Sequence, residues 1–245
     1  MHESPDISLV IPAWNEAQRL PRLLDSVEAA RARFAASGGR VEVIVADNGS
    51  TDATAALAAA RGCTVVPVAK RCIASARNGG AAVARAPVLA FVDADSVVHP
   101  DVFVAIAAAM ARPRTLGGAS RVTMERWSIG IALSFALMVP LVWATGFDTG
   151  VVFWRRADFE ALGGYDETRM LAEDVDFLWR LRRLGRQRRQ RLVRLQGVPT
   201  TTSARKFDTY GDWHWFTQVP RLAWHLLRGR RAAEGFARKY WYEGR

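Results

Sequence analysis

Cysteine is nearly absent: Cys63 and Cys72 are the only two in 245 residues, and neither has a neighbouring cysteine or histidine at metal-ligand spacing. A disulfide framework is excluded as the basis of the fold, and the pair reads as reduced thiols of a cytosolic protein. Histidine is scarce too, and His2, His99, His214 and His225 form no recognisable zinc arrangement. The glycines reproduce neither the dinucleotide fingerprint nor the phosphate-binding loop ending in lysine and a hydroxyl, which leaves NAD and ATP chemistry unsupported. A serine-nucleophile elbow is missing. No basic segment, apolar run and small-residue cleavage site precede the first strand, so no export signal is expected. The expected location is the cytoplasm, at the inner face of a membrane if the chain docks on one.

Acidic residues run short toward the C-terminus. Residues 180–245 hold 17 of the 34 Lys and Arg but 4 of the 24 Asp and Glu, a balance of +13 that leaves −3 for residues 1–179. Such a segment attracts nucleic acid, anionic lipid or a phosphorylated substrate. Without a basic-aromatic repeat, zinc-finger spacing or helix-turn-helix pattern, nucleic acid is the least supported of the three. Long apolar runs reduce to one. Residues 129–147 carry no charge and approach membrane-spanning length. Gly130, Ser134, Pro140, Thr145 and Gly146 oppose a continuous lipid-spanning helix. The stretch is expected as a buried helix, or as an interfacial surface that meets a membrane or a lipid-linked acceptor.

What is present is a strand and helix rhythm in a chain that is half hydrophobic and long enough for a substantial core. Apolar strands are expected at 7–11, 41–46, 64–68 and 88–92, with helices at 17–36, 51–61 and 78–85 between them. The second half reads as a strand at 151–154, a short helix at 156–162, a Gly163-Gly164 turn, a helix from 171 to 184 ending at Gly185, and an extended segment at 200–207. The fold class is α/β: one mixed, mostly parallel sheet flanked by helices, with a Rossmann-like nucleotide-binding half. Residues 1–115 are expected to bind the nucleotide sugar and 116–210 the acceptor, all in one domain, with a basic aromatic helical extension at 211–245.

Polar residues gather after the strands, at the edge where open α/β sheets bind ligands. Pro12, Asn15 and Glu16 follow the first. Asp47, Asn48, Ser50 and Asp52 follow the second, where side chains can meet a base or ribose or form a turn with a helix cap. Asp93-Ala94-Asp95 follows another, and its two carboxylates can face a divalent cation that neutralises a diphosphate, or can cap a turn. Asp95 is expected to be the more direct metal ligand. Asp174 can take a proton from an acceptor hydroxyl while Glu173 orients it, and the same pair can serve as helix-start charges. Arg77 and Asn78 are candidate substrate-orienting groups. Arg205 and Lys206 are candidate phosphate contacts, Arg205 through a bidentate guanidinium.

The ordered phrases "LVIPAWNE", "VIVADNGSTD", "ARNGG", "FVDADS", "GGYDE" and "EDVDFLWRLRRLG", spanning residues 7–185, resemble family 2 glycosyltransferases. The resemblance implies the A-type glycosyltransferase fold and an inverting transfer from a nucleoside-diphosphate sugar to a saccharide or polyprenyl-phosphate-type acceptor. Pro12, Asn15 and Glu16 would lie on the first nucleotide-facing edge, and Asp47 with Asn48 in the base-binding segment, where members commonly carry a second aspartate. Asp93 and Asp95 match the motif that holds the nucleotide sugar through Mg2+ or Mn2+. Asp174 matches the catalytic base, and residues 202–206 are similar to a late substrate-closing loop. A sugar-phosphate nucleotidyltransferase and a non-catalytic nucleotide-sugar-binding scaffold at a membrane are the competing readings.

Overall fold

The computed structural model describes residues 4–145, 148–169 and 172–216 and positions 218, 221 and 224, with the backbone alone over 138–145. In chain order the elements are β1 Ile7–Ala13, α1 Leu20–Ala35, β2 Val41–Asp47, α2 Thr54–Ala60, β3 Thr64–Pro67, α3 Ile73–Ala82, β4 Val88–Phe91, β5 Ser96–Val97 and α4 Val102–Met110. Then come β6 Thr115–Met124, α5 Ile129–Thr145, β7 Val152–Arg155, α6 Arg156–Ala161, α7 Glu173–Arg188, β8 Arg191–Thr202 and α8 Arg205–Tyr210. Of the extension assigned to 211–245, only residues 211–216, 218, 221 and 224 are described.

The eight strands form one sheet in the order β3-β2-β1-β4-β7-β6-β8-β5. β1 is parallel to β2 and β4, and β2 to β3, which is the Rossmann-like half expected from the apolar strand runs. The expectation of a mostly parallel sheet is corrected in the second half. β7 runs antiparallel to both β4 and β6, and β5 antiparallel to β8, so only β6 and β8 are parallel there.

The antiparallel β7 packs tightly on β6, a strand that sequence periodicity does not mark. A Cβ on Gly117 would strike the Phe153 carbonyl and Trp154, and one on Gly118 would strike the Val193 carbonyl and the Phe153 ring. The bare backbone lets bulky β7 and β8 approach from both sides. Gly185, expected as a turn, lies inside α7 because any side chain there would meet Leu116 and the Gln190 carbonyl. α3 starts five residues earlier than expected, at Ile73.

Alternation along the buried strands feeds two cores. Ile7, Leu9 and Ile11 of β1 pack with α1, α2 and α4, including Leu20, Leu23, Phe34, Phe103 and Ile106. Val10, Ile44 and Phe91 face the other way, onto α3, α6 and α7 with Trp154, Phe159, Tyr165 and Phe177. Each large apolar side chain fully buried this way contributes about 1.5–3 kcal/mol. α1 carries Pro21 in its first turn, where a missing N–H costs nothing. Residues 129–145 of the apolar stretch form α5, residues 146 and 147 lie outside the described residues, and no helix among the described residues is long and apolar enough to cross a membrane.

Candidate active site

The parallel strands end at one edge, and their following loops are laced together. Asn15, held at φ 52°, donates its backbone N–H to Ser50 Oγ (3.0 Å) and accepts from Thr51 N–H at its side-chain oxygen (2.8 Å). The Glu16 N–H donates to Thr54 Oγ1 (2.9 Å) and the Ala17 N–H to Asp52 Oδ2 (3.1 Å). Ser50 and Thr51 therefore join two loops, and α2 begins beyond them at Thr54. Burial raises the Asp52 carboxyl, but hydrogen bonds from Thr54 and the Ala17 backbone more than offset this and hold it below the usual carboxylate range.

Pro12 lies buried near the end of β1, paired with Ala46. Asp47 accepts from Ser50 N–H (3.2 Å). Asn48 is buried and its amide is engaged within the protein. It donates to the Val68 and Lys70 carbonyls (3.1 and 2.7 Å) and accepts from Cys72 N–H (3.0 Å). Its visible role is to shape the 68–72 segment rather than to present the amide to a base. That segment puts the Arg71 guanidinium 4.7 Å from the Trp14 ring centroid, an aromatic-cation pair beside the loop that sequence patterns did not single out.

Two arginines tie the acidic residues together in ion pairs. Arg77, on α3, donates to Glu173 Oε1 (3.0 Å) and Asp93 Oδ1 (3.2 Å), with its guanidinium carbon 5.3 Å from the Tyr165 ring centroid. Arg205 donates to both carboxylate oxygens of buried Glu16 (3.0 and 3.2 Å) and reaches Asp95 Oδ2 at 3.3 Å. Ala94, between the two aspartates, is buried. Arg77 with Asp93 and Glu173, and Arg205 with Glu16 and Asp95, thus form two ion-pair clusters drawn from five separate chain segments, and the 93–95 turn contributes one aspartate to each.

Burial disfavours the protonated Arg77 guanidinium, but Tyr165, Asp93, Glu173 and Asp174 more than reverse this, and Arg77 stays charged. Burial pushes the Glu173 carboxyl above the usual range, with Arg77 opposing. Burial likewise pushes the Tyr165 hydroxyl up. Asp174, the next residue, is only partly buried and accepts from Val175 N–H (2.7 Å) at the start of α7. Ala172 precedes it with φ 56°, a left-handed conformation that alanine rarely adopts. The Glu173-Asp174 pair is therefore divided: one carboxylate is tied inward to Arg77 and the other turned toward solvent.

Asn78 is a clasp. Its amide accepts from Tyr165 N–H (2.9 Å) and donates to the Tyr165 carbonyl (2.9 Å) and Glu167 Oε1 (3.0 Å). Arg180 holds the same loop from α7 through the Leu162 and Gly164 carbonyls (2.6 and 2.8 Å). Both glycines of Gly163-Gly164 have positive φ, which gives the doublet its backbone reason. An open cleft of about 590 Å3 is lined by Asn78, Gly164, Asp166, Glu167, Asp176 and Arg180. Tyr165, the buried ring beneath Arg77, was legible only as part of the "GGYDE" phrase.

Among the described residues no group of three or more His, Cys, Asp or Glu stands together as a metal cage. Asp93 and Asp95 are nonetheless hard oxygen donors, with 52% of the Asp93 side chain exposed. Mg2+ commonly binds through one or two carboxylates and completes its shell with water and substrate phosphate. The pair fits a cation arriving with a diphosphate and does not fit a pre-built cage.

Residues 8–163 match the profile of Glycosyl transferase family 2, and the chain belongs to that family. It is similar to a succinoglycan biosynthesis protein, ExoO, of Rhizobium meliloti, 37% identical over 101 residues that cover 40% of this chain and 27% of the relative. It is also similar to validoxylamine A glucosyltransferase of Streptomyces hygroscopicus subsp. jinggangensis, 36% identical over 116 residues that cover 44% of this chain and 26% of the relative. The matched segments thus span about a quarter of these relatives. Among solved structures, S. aureus TarS 1-349 in complex with UDP-GlcNAc shares the fold at TM-score 0.63 and 17% identity, covering 81% of this chain and 58% of that one. Glucosyl-3-phosphoglycerate synthase from Mycobacterium tuberculosis, in complex with Mn2+, UDP and glucosyl-3-phosphoglycerate, does so at TM-score 0.55 and 22% identity, covering 78% and 70%.

Proposed function

We propose that this chain transfers a glycosyl group from a nucleoside-diphosphate sugar to a saccharide or lipid-linked acceptor, with inversion at the anomeric carbon. The observation that carries the reading is the 93–95 turn after β4, whose two aspartates are each ion-paired to an arginine from a distant segment, Asp93 to Arg77, which also holds Glu173, and Asp95 to Arg205. Support for the donor class comes from TarS, solved with UDP-GlcNAc, and from the mycobacterial synthase, solved with UDP and Mn2+. The loops carrying Pro12, Asn15, Glu16 and Asp47 would receive the nucleotide, with Asn48 acting through the 68–72 segment it holds. Residues 1–115 would then form the donor half and 116–210 the acceptor half.

Asp174 takes the proton of the acceptor hydroxyl as that oxygen attacks the anomeric carbon. A bond forms from oxygen to carbon, the bond from carbon to diphosphate oxygen breaks, and the electron pair leaves with the nucleoside diphosphate. Attack opposite the leaving group inverts the centre. A phosphate acceptor is already ionised and needs no such base. Asp95 and Asp93 would hold Mg2+ or Mn2+, which when bound supplies positive charge to the diphosphate. Arg205 stands beside Asp95 and can add its guanidinium to the same charge. Arg77 holds Glu173 by an ion pair and thereby orients the start of α7.

The test is a mass-spectrometric screen of the purified chain with a panel of nucleotide sugars, saccharide and lipid-phosphate acceptors, and either cation. An acceptor heavier by one glycosyl residue, with nucleoside diphosphate released, is expected. For a hydroxyl acceptor, Asp174→Asn should lower turnover by about 10²–10⁴-fold. Asp95→Asn should lower it by about 10²–10³-fold. Pyrophosphate release from a nucleoside triphosphate and a sugar phosphate would instead identify a nucleotidyltransferase and overturn the reading.

A further inference from the structure

We propose that the outer face of α5, together with the aromatic segment after α8, docks this protein on an anionic lipid bilayer. Ile131 and Phe135 turn inward, toward a small core with Met124, Ala204, Phe207 and Trp215. Ile129, Leu133 and Leu137, each four residues on from the last, point outward and are 75%, 47% and 60% exposed. Trp127, half exposed, lies against Phe135 with ring centroids 5.1 Å apart. Gly130 packs so closely on the Asp212 carbonyl that a Cβ would lie 2.7 Å from it, which brings the 211–216 segment to the start of α5. Trp213 and Phe216 of that segment are exposed and pack on each other at 5.7 Å. Aliphatic side chains along one helix face, with tryptophans at its margin, suit the headgroup boundary of a bilayer.

Charge chooses the occupant. Residues 221–245 carry 7 Lys or Arg and 2 Glu, within a C-terminal stretch whose balance is +13. A second copy of the chain brings the same positive excess, whereas phosphatidylglycerol or another anionic lipid complements it. The face also has a direct relation to the cleft. Ala204 is buried in the core under α5, and its neighbour Arg205 reaches Asp95. Docking would hold the Arg205–Asp95 pair near the lipid surface, toward an acceptor anchored there.

The full chain should be sedimented with phosphatidylcholine–phosphatidylglycerol vesicles and with phosphatidylcholine vesicles, at low and at physiological ionic strength, alongside sedimentation velocity of the protein alone. Binding to the anionic vesicles is expected, weakening with salt and without phosphatidylglycerol. Leu133→Asp with Leu137→Asp should reduce it at least about tenfold while the thermal melt stays unchanged, because the exposed leucines lose their burial in the bilayer and add charge there. If that variant melts early, Trp213→Ser tests the same face from the other segment. Three outcomes overturn the proposal: no binding to anionic vesicles, binding that survives the variants at both segments, or a dimer in the free protein that the same variants dissolve. None of these readouts uses turnover, so docking and glycosyl transfer stand or fall separately.

Discussion

Replacing Arg77 by glutamine removes the guanidinium that Asp93 and Glu173 share, and the two arms of that bridge are unequal. The Asp93 side chain is half exposed, so its arm contributes at most about 1 kcal/mol. Glu173 is 10% exposed at its side chain, and a buried carboxylate that loses its partner costs about 3–5 kcal/mol. Arg77→Gln should therefore destabilise the chain by about that amount, a fall in Tm on the order of 10 °C for a protein of this size. The loss should depend on pH. Burial already raises the Glu173 carboxyl, and without Arg77 it rises further. A carboxyl with a raised folded pKa stays protonated where the unfolded chain has lost its proton, so its stability contribution falls as pH rises from the unfolded value, about 4.3, through the folded one. The deficit should be larger at about pH 8 than at about pH 5. Urea unfolding at both pH values is the assay, on wild type, Arg77→Gln, Glu173→Gln and the double variant. The double variant should recover much of the loss, with a coupling energy of about 1–3 kcal/mol. A cost below about 1 kcal/mol, a pH-independent deficit or strict additivity would refute the buried-bridge argument.

Other perturbations follow from the same geometry. Burial raises the Glu42 carboxyl, but bonds from the Ser8 hydroxyl, the Arg85 backbone N–H and the Arg85 guanidinium overcome this and hold it below the ordinary range. That contribution is present above the unfolded pKa and lost as pH falls through the folded one, so Glu42→Gln should flatten the acid limb of the stability curve; an unchanged limb in acid titration by circular dichroism would count against it. Gly118→Ala should cost about 1–3 kcal/mol in thermal melts, because the new methyl meets the Val193 carbonyl. Asn78→Ala strips the Tyr165 backbone groups of their clasp and should cost about 1–3 kcal/mol, with faster proteolytic nicking at 163–167 as a second readout.

The parallel half was legible because β1, β2, β3 and β4 are short apolar runs with polar loops after them, a pattern each strand carries by itself. β6 and β8 carry no such mark. Gly117 and Gly118 let β7 and β8 approach β6 closely, contacts between residues more than thirty positions apart. Helix ends were misread where a local breaker was overruled, as at Gly185, whose missing side chain is required by Leu116 rather than by a turn. At the candidate site, residue types at strand ends pointed to Asp93 and Asp95. Which partners they would meet did not follow, since Arg77 and Arg205 reach them from distant segments. Asn48 shows the limit of chemical reading: an amide suited to a base can equally hold three backbone groups of its own chain.

The pairing of Glu16 with Arg205 joins positions 189 residues apart. During synthesis the first loop and its parallel strands leave the ribosome long before the guanidinium that compensates the buried Glu16 charge exists. The early half can pair its strands, yet that ion pair closes only once β8 and the start of α8 have been made. Stopping translation anywhere before Arg205 would leave a carboxylate in the interior without this cation, so the nascent chain completes its first loop among the last.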